Sequence, residues 1–357
     1  MTTTSLLDSV NIELPSTRGD DYNHEEYLEY LHNIQKRNAN IEFQVCEYTH
    51  GITAVNGAYV GGVYSPTQNR IYFVPFEQAD EANWHYVNCD TGEIVAYAHG
   101  TSTGTVSSAY IGGVYSPTQN KIYFVPFYQA DEANWHYVDC NTGDVVAYTH
   151  GVTAVAFAYT GGVYSPTQNR IYLVPYLQGP EDYWHYIDCT STGSIGTYEN
   201  TSDAVVTAYS GGVYSPTQNR IYLVPYRQAD ETDWHYIDCN TGAVIAYTNI
   251  SNAVNNAYQG GVYSPTQNRI YLIPNKQADQ TNWHYIDCTS TGSVVAYTHG
   301  VTAVNGAYVG GVYSPTQNRI YLVPFYQADE ANWHYIQEFS KDRVSTQLMS
   351  GTLFNKF

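Results

Sequence analysis

Six Trp-His-Tyr triplets, beginning at Trp84, Trp135, Trp184, Trp234, Trp283 and Trp333, are the residues of this 357-residue chain best suited to chemistry. An accessible indole stacks on rings and cations, and imidazole binds metals and carries protons. One cation per unit accompanies them: Arg70, Arg170, Arg220, Arg269 and Arg319, with Lys121 in the second unit. Trp and Arg lining clefts between repeated units would make a multivalent glycan site. Packing is the competing use, because like residues at six symmetric positions need the same local explanation six times. In a strand, Trp84 and Tyr86 share one face and His85 takes the other. That alternation favours packing between neighbouring units.

A second constellation lies in two sets of loops. "EQADEAN" and its counterparts carry Asp80, Asp131, Asp230 and Asp329, while the linkers between units carry His50, His99, His150 and His299, with Asn200 and Asn249 in place of His in two units. Carboxylates and imidazoles on one face form a candidate site for a divalent cation. Solvated surface is the simpler reading, and no cofactor is expected. Cys89, Cys140, Cys189, Cys239 and Cys288 recur once per unit, with Glu338 at the sixth position and Cys46 elsewhere. Equivalent positions on neighbouring units stand too far apart for a disulfide, and no CxxC or zinc spacing occurs. Free, buried thiols in a reducing compartment are expected.

Catalytic motifs are absent from the sequence: no Gly-x-Ser-x-Gly, phosphate loop or HExxH. An active site needs unlike residues converging on one point, which six like units make harder, so a non-enzymatic role is expected. The third unit, with "LQGPEDYW", departs furthest and is the first place to look for an exception.

The elements that position these residues follow from the repeat. "GGVYSPTQN" begins at Gly61, Gly112, Gly161, Gly211, Gly260 and Gly310, a period of about 50 residues. Within a unit, "AYVGGVYS" is a β-rich run ending at the turn "SPTQN", where Pro66 presets φ and Asn69 tolerates the left-handed region. "RIYFVPF" is a second strand, "WHYVNC" a third, and "EIVAYAH" a fourth joined to it by the hairpin turn "DTG". Four antiparallel strands per unit predict a β-propeller blade. The sixth unit ends after three strands at "WHYIQEFSKD". The missing strand is expected before the first unit, where "IEFQVCEYTHG" (41–51) aligns with "GDVVAYTHG" (143–151). The prediction is an all-β, six-bladed β-propeller, its ring closed by residues 41–49 completing the last blade.

The run "SPTQNRIYLVP … WHYIDCNTGAVIAYT … GGVYSPTQN" resembles the YVTN/NHL and quinoprotein-like β-propeller repeats, over residues 41–337. The "WHY" triplet, the cysteine and the near-identity of the units depart from that pattern. The resemblance implies architecture and leaves activity open, because such folds host many functions. The near-identical tandem units also resemble repeat proteins of giant DNA viruses, which would place the chain in a virion.

Residues 1–40 form an N-terminal arm with a helix expected over 21–37, its stripe made by Tyr27, Leu31 and Ile34. Residues 41–339 form the propeller, and 340–357 a C-terminal tail. Acids in the first turns of that helix and Lys36 and Arg37 in its last complement the macrodipole. The N-terminus lacks the basic and apolar regions of a signal peptide, and no apolar run is long enough to span a bilayer. A formal net charge of -19 argues against nucleic acid and anionic membranes as partners. The expectation is a soluble, Tyr-rich scaffold for protein partners. A lectin-like propeller is the first alternative, and a metal-dependent enzyme on the acidic, His-bearing face the second.

Overall fold

Each repeat folds into one antiparallel sheet. In the first, β1 (Tyr59–Ser65), β2 (Arg70–Pro75), β3 (Asn83–Asn88) and β4 (Ile94–Ala98) lie side by side in chain order. This computed structural model describes residues 51–337, apart from 101–103, 191–192, 201–202, 249–251 and 290. Among the described residues there are six sheets, five of four strands and a last one of three: Tyr308–Ser314, Arg319–Pro324 and Tyr335–Gln337. The all-β class and the count of six agree with the repeat. The arm helix, the strand over 41–49, His50, Cys46 and the tail lie outside the described residues.

Local geometry follows the turn chemistry. Asn69, Asn120, Asn169, Asn219, Asn268 and Asn318 all adopt φ between 50° and 54°, the left-handed residue of each "SPTQN" turn. Asn suits this conformation because its short polar side chain hydrogen-bonds locally. The "TG" hairpins likewise place Gly92, Gly143, Gly193, Gly242 and Gly292 at positive φ.

The core lies between sheets. Five clusters of buried residues join sheets one and two, two and three, three and four, four and five, and five and six. First strands of consecutive sheets run against each other, and the second Gly of each pair permits it. A Cβ on Gly113, Gly162, Gly212 or Gly261 would stand 2.8–3.0 Å from a Val methyl of the preceding sheet. Polar bonds repeat the pattern: Thr67 Oγ1 donates to Asn120 Oδ1 at 2.8 Å, as do Thr118 to Asn169, Thr167 to Asn219, Thr217 to Asn268 and Thr266 to Asn318.

The two end sheets present the halves of this interface unpaired. Trp333 is 62% exposed, whereas its five counterparts are at most 3% exposed, and Val312 is 64% exposed. In sheet one, Cys89 is exposed where Cys140, Cys189, Cys239 and Cys288 are buried. Among the described residues, sheets six and one therefore do not share the packing seen at the other five junctions.

Candidate functional site

The residues singled out by type have structural partners. Each Trp of sheets one to five is buried; its indole N–H donates to a backbone carbonyl in the preceding loop, as Trp84 does to Ala79 at 3.2 Å. Trp84 stacks on His99 with ring centroids 4.5 Å apart and meets Tyr110 and Phe124 of the next sheet edge-on. These five rings fill the junctions between sheets and leave no face for a glycan. The cations stack within their own sheets. Arg70, Lys121, Arg170, Arg220, Arg269 and Arg319 each lie 4.1–4.4 Å over the Tyr of the Trp-His-Tyr triplet. Pairing of Tyr72 with Tyr86 and of Arg70 with Asn88 puts Arg70 diagonal to Tyr86 on one face. Each cation is thus engaged in a cation–π contact inside its own sheet.

The triplet histidines face the other way. Nδ1 of His136 is hydrogen-bonded to the Tyr110 hydroxyl, and Nδ1 of His185, His235, His284 and His334 to the hydroxyls of Tyr159, Tyr209, Tyr258 and Tyr308. Burial pushes His136, His185, His235 and His284 down to about 4, and pushes Tyr110, Tyr159, Tyr209 and Tyr258 well above the usual phenol range. Both rings are therefore neutral at pH 7. Burial also raises the thiols of Cys140, Cys189, Cys239 and Cys288, which makes them poor nucleophiles.

The linker histidines hold loops together. Nε2 of His99, His150 and His299 donates to the carbonyls of Glu81, Glu132 and Gln280. Nδ1 of His150 and His299 accepts from the N–H of Val152 and Val301. With one ring nitrogen donating and the other accepting, His150 and His299 have no lone pair left for a metal. In the third unit Asn200 Nδ2 donates to the equivalent carbonyl, that of Glu181, at 3.0 Å, so Asn and His interchange as backbone donors. Asp80, Asp131, Asp230 and Asp329 stand exposed, and Asp230 accepts from Asn255. Among the described residues no group of three or more His, Cys, Asp and Glu is placed to hold a metal ion. The third unit's departures are local too: a Cβ on Gly179 would lie 2.5 Å from the Val205 carbonyl, so Gly is required there.

Unlike residues converge elsewhere. A cavity of about 440 Å³ is lined by Val60, Ile111, Thr160, Ser210, Gln259 and Val309, one residue from each first strand, together with Gly260, Phe127, Tyr176 and Tyr226. Six first strands thus border one space. Every one of them is irregular at this residue: Tyr110 pairs with Pro126 and Gly112 with Val125, leaving Ile111 as a bulge, and the other five shift register at the same place. A bulge re-aims a side chain, here toward the shared cavity. Sequence reasoning missed these residues, although the signal is present. "AY", one residue and "GGVYSPTQN" is identical in all six units except for that one residue.

No protein-family model matches the sequence, and no curated protein matches it. Among solved structures it is similar to the extracellular domain of BT4673 from B. thetaiotaomicron, with a TM-score of 0.52, 8% identity and coverage of 74% of this chain and 32% of that one. The chain therefore spans about a third of that structure's length. It is also similar to Kuenenia stuttgartiensis hydrazine synthase, with a TM-score of 0.51, 14% identity and 77% of each chain covered. At such identities the likeness is one of fold alone, and it supports a propeller-type arrangement of the repeated sheets. No helix among the described residues is long and apolar enough to cross a membrane.

Proposed function

We propose that the chain is a closed six-bladed β-propeller acting as a non-enzymatic binding and assembly scaffold for protein partners. In the closed ring the exposed face around Trp333 and Val312 meets the face of sheet one that bears Phe73 and Cys89. The five internal junctions support this, because each joins the same two faces that the end sheets leave unpaired.

One observation carries the scaffold reading. The Trp of sheets one to five are buried between sheets, and the triplet His and the Arg are engaged with Tyr residues of their own sheets rather than offered to a ligand. What repeats on the exterior is an acidic rim, with Asp80, Asp131, Asp230 and Asp329 exposed in equivalent loops. Such a rim suits a partner that presents basic groups, and several weak equal contacts combine into avidity when one partner can reach more than one loop.

The test is to capture partners on the immobilised full chain and measure stoichiometry and affinity with purified components. Binding that weakens stepwise as the four aspartates become Asn is expected. Indifference to all four substitutions, glycan capture on an array, or turnover of a bound small molecule would contradict the proposal.

A further inference from the structure

We infer that the central cavity is a binding site for one small uncharged amphiphile, with its hydrocarbon part against Val60, Ile111 and Val309 and a hydroxyl or amide against Thr160, Ser210 and Gln259. This stands independently of the acidic rim. Twelve-residue runs that are otherwise identical in six units differ at a single position, and the six residues there line a single cavity. Where each copy packs against the same neighbour, the same residue serves six times. Where six side chains share one space, identity is not required, and this position holds Val, Ile, Thr, Ser, Gln and Val.

The differences are ordered. Val60 and Ile111 come from consecutive sheets one and two, with Val309 from sheet six, and make an apolar wall. Thr160, Ser210 and Gln259 come from consecutive sheets three, four and five and make a polar one. Their hydrogen bonds define what that wall offers. Thr160 Oγ1 donates to the Tyr209 carbonyl at 3.2 Å and Ser210 Oγ to the Tyr258 carbonyl at 2.9 Å. Each hydroxyl has spent its one proton and keeps acceptor lone pairs. Gln259 Oε1 accepts from Asn275 Nδ2 at 3.2 Å, so the amide of Gln259 turns N–H donors to a ligand. A hydroxyl or primary amide, which both donates and accepts, complements this set.

Charge is excluded by the lining, which contains no Asp, Glu, Lys, Arg or His. An ionised ligand would lose hydration without gaining a counter-charge. The volume falls within the range of small-molecule pockets, roughly 300–1,000 Å³.

Calorimetric titration of the full chain with benzyl alcohol, benzamide, benzoate and benzylammonium tests the inference on the unmodified protein. One molecule of benzyl alcohol or benzamide per chain is expected, with benzoate and benzylammonium at least tenfold weaker. Ser210→Val with Gln259→Leu, folded by circular dichroism, should weaken benzyl alcohol about tenfold and leave toluene binding unchanged or tighter. Equal affinity for charged and neutral probes, no binding of either neutral probe, or an unchanged affinity in the folded double variant would overturn it.

Discussion

Thr207 occupies a φ of 57°, and its hydroxyl is buried with no hydrogen-bond partner. The equivalent positions hold Gly57, Ser108, Phe157, Asn256 and Gly306, all at positive φ. A left-handed β-branched residue costs about 1–2 kcal/mol, and an unsatisfied hydroxyl adds about 1–3 kcal/mol. The backbone entropy of Gly offsets about 0.5–1 kcal/mol of the gain from replacing it. Thr207→Gly should therefore stabilise the chain by about 1–4 kcal/mol, seen as a higher urea midpoint with unchanged slope. A lower midpoint would contradict the strain assigned to this residue. The Gly and Asn at sister positions were the sequence's sign of the left-handed backbone. It is a weak sign in one copy, because Phe and Thr normally speak against that conformation.

At the scale of the strand and the sheet junction, the second glycine of each pair carries the interface. A Cβ on Gly212 would meet methyls of Val163, Ile221 and Val174 at 3.0–3.3 Å, from two sheets at once, whereas Gly61 has nothing within 4 Å. Gly212→Ala is expected to destabilise by about 1–3 kcal/mol through overpacking, and Gly61→Ala to be neutral or slightly stabilising. Thermal denaturation of the two variants checks this, and equal effects would remove the junction argument. Strands, turns and hairpins were legible because Asn69, Gly92 and the alternation around Trp84 encode them locally. Burial of Trp84 was legible from strand alternation and symmetry. The cation–π partner of Arg70 was not, because it depends on the register between two strands. The cavity was not, because a bulge at Ile111 re-aims a residue that simple alternation would assign otherwise.

For the molecule as a whole, the triplet histidines predict acid lability. His136, His185, His235 and His284 drop to about 4 from an ordinary 6.5, so between those values the unfolded chain binds protons that the folded one does not. Stability is undiminished by them above pH 6.5, falls as pH drops from 6.5 to about 4, and levels off below. Urea midpoints measured between pH 7 and 4 should follow this course, with a shallower dependence in His136→Gln. A flat profile would mean that these rings are solvated.

Five junctions between sheets are described, and the proposed closure adds a sixth of the same kind, joining the last sheet to the first. Acrylamide quenching of tryptophan fluorescence in the native chain and in Trp333→Phe tests this most directly, read beside their stabilities. If the ring closes, all six indoles are shielded alike. The substitution then leaves quenching low and costs about 1–3 kcal/mol, as a large-to-small change in a packed junction does. Strong quenching in the native chain that disappears in Trp333→Phe, with stability unchanged, would show that the sixth junction does not form.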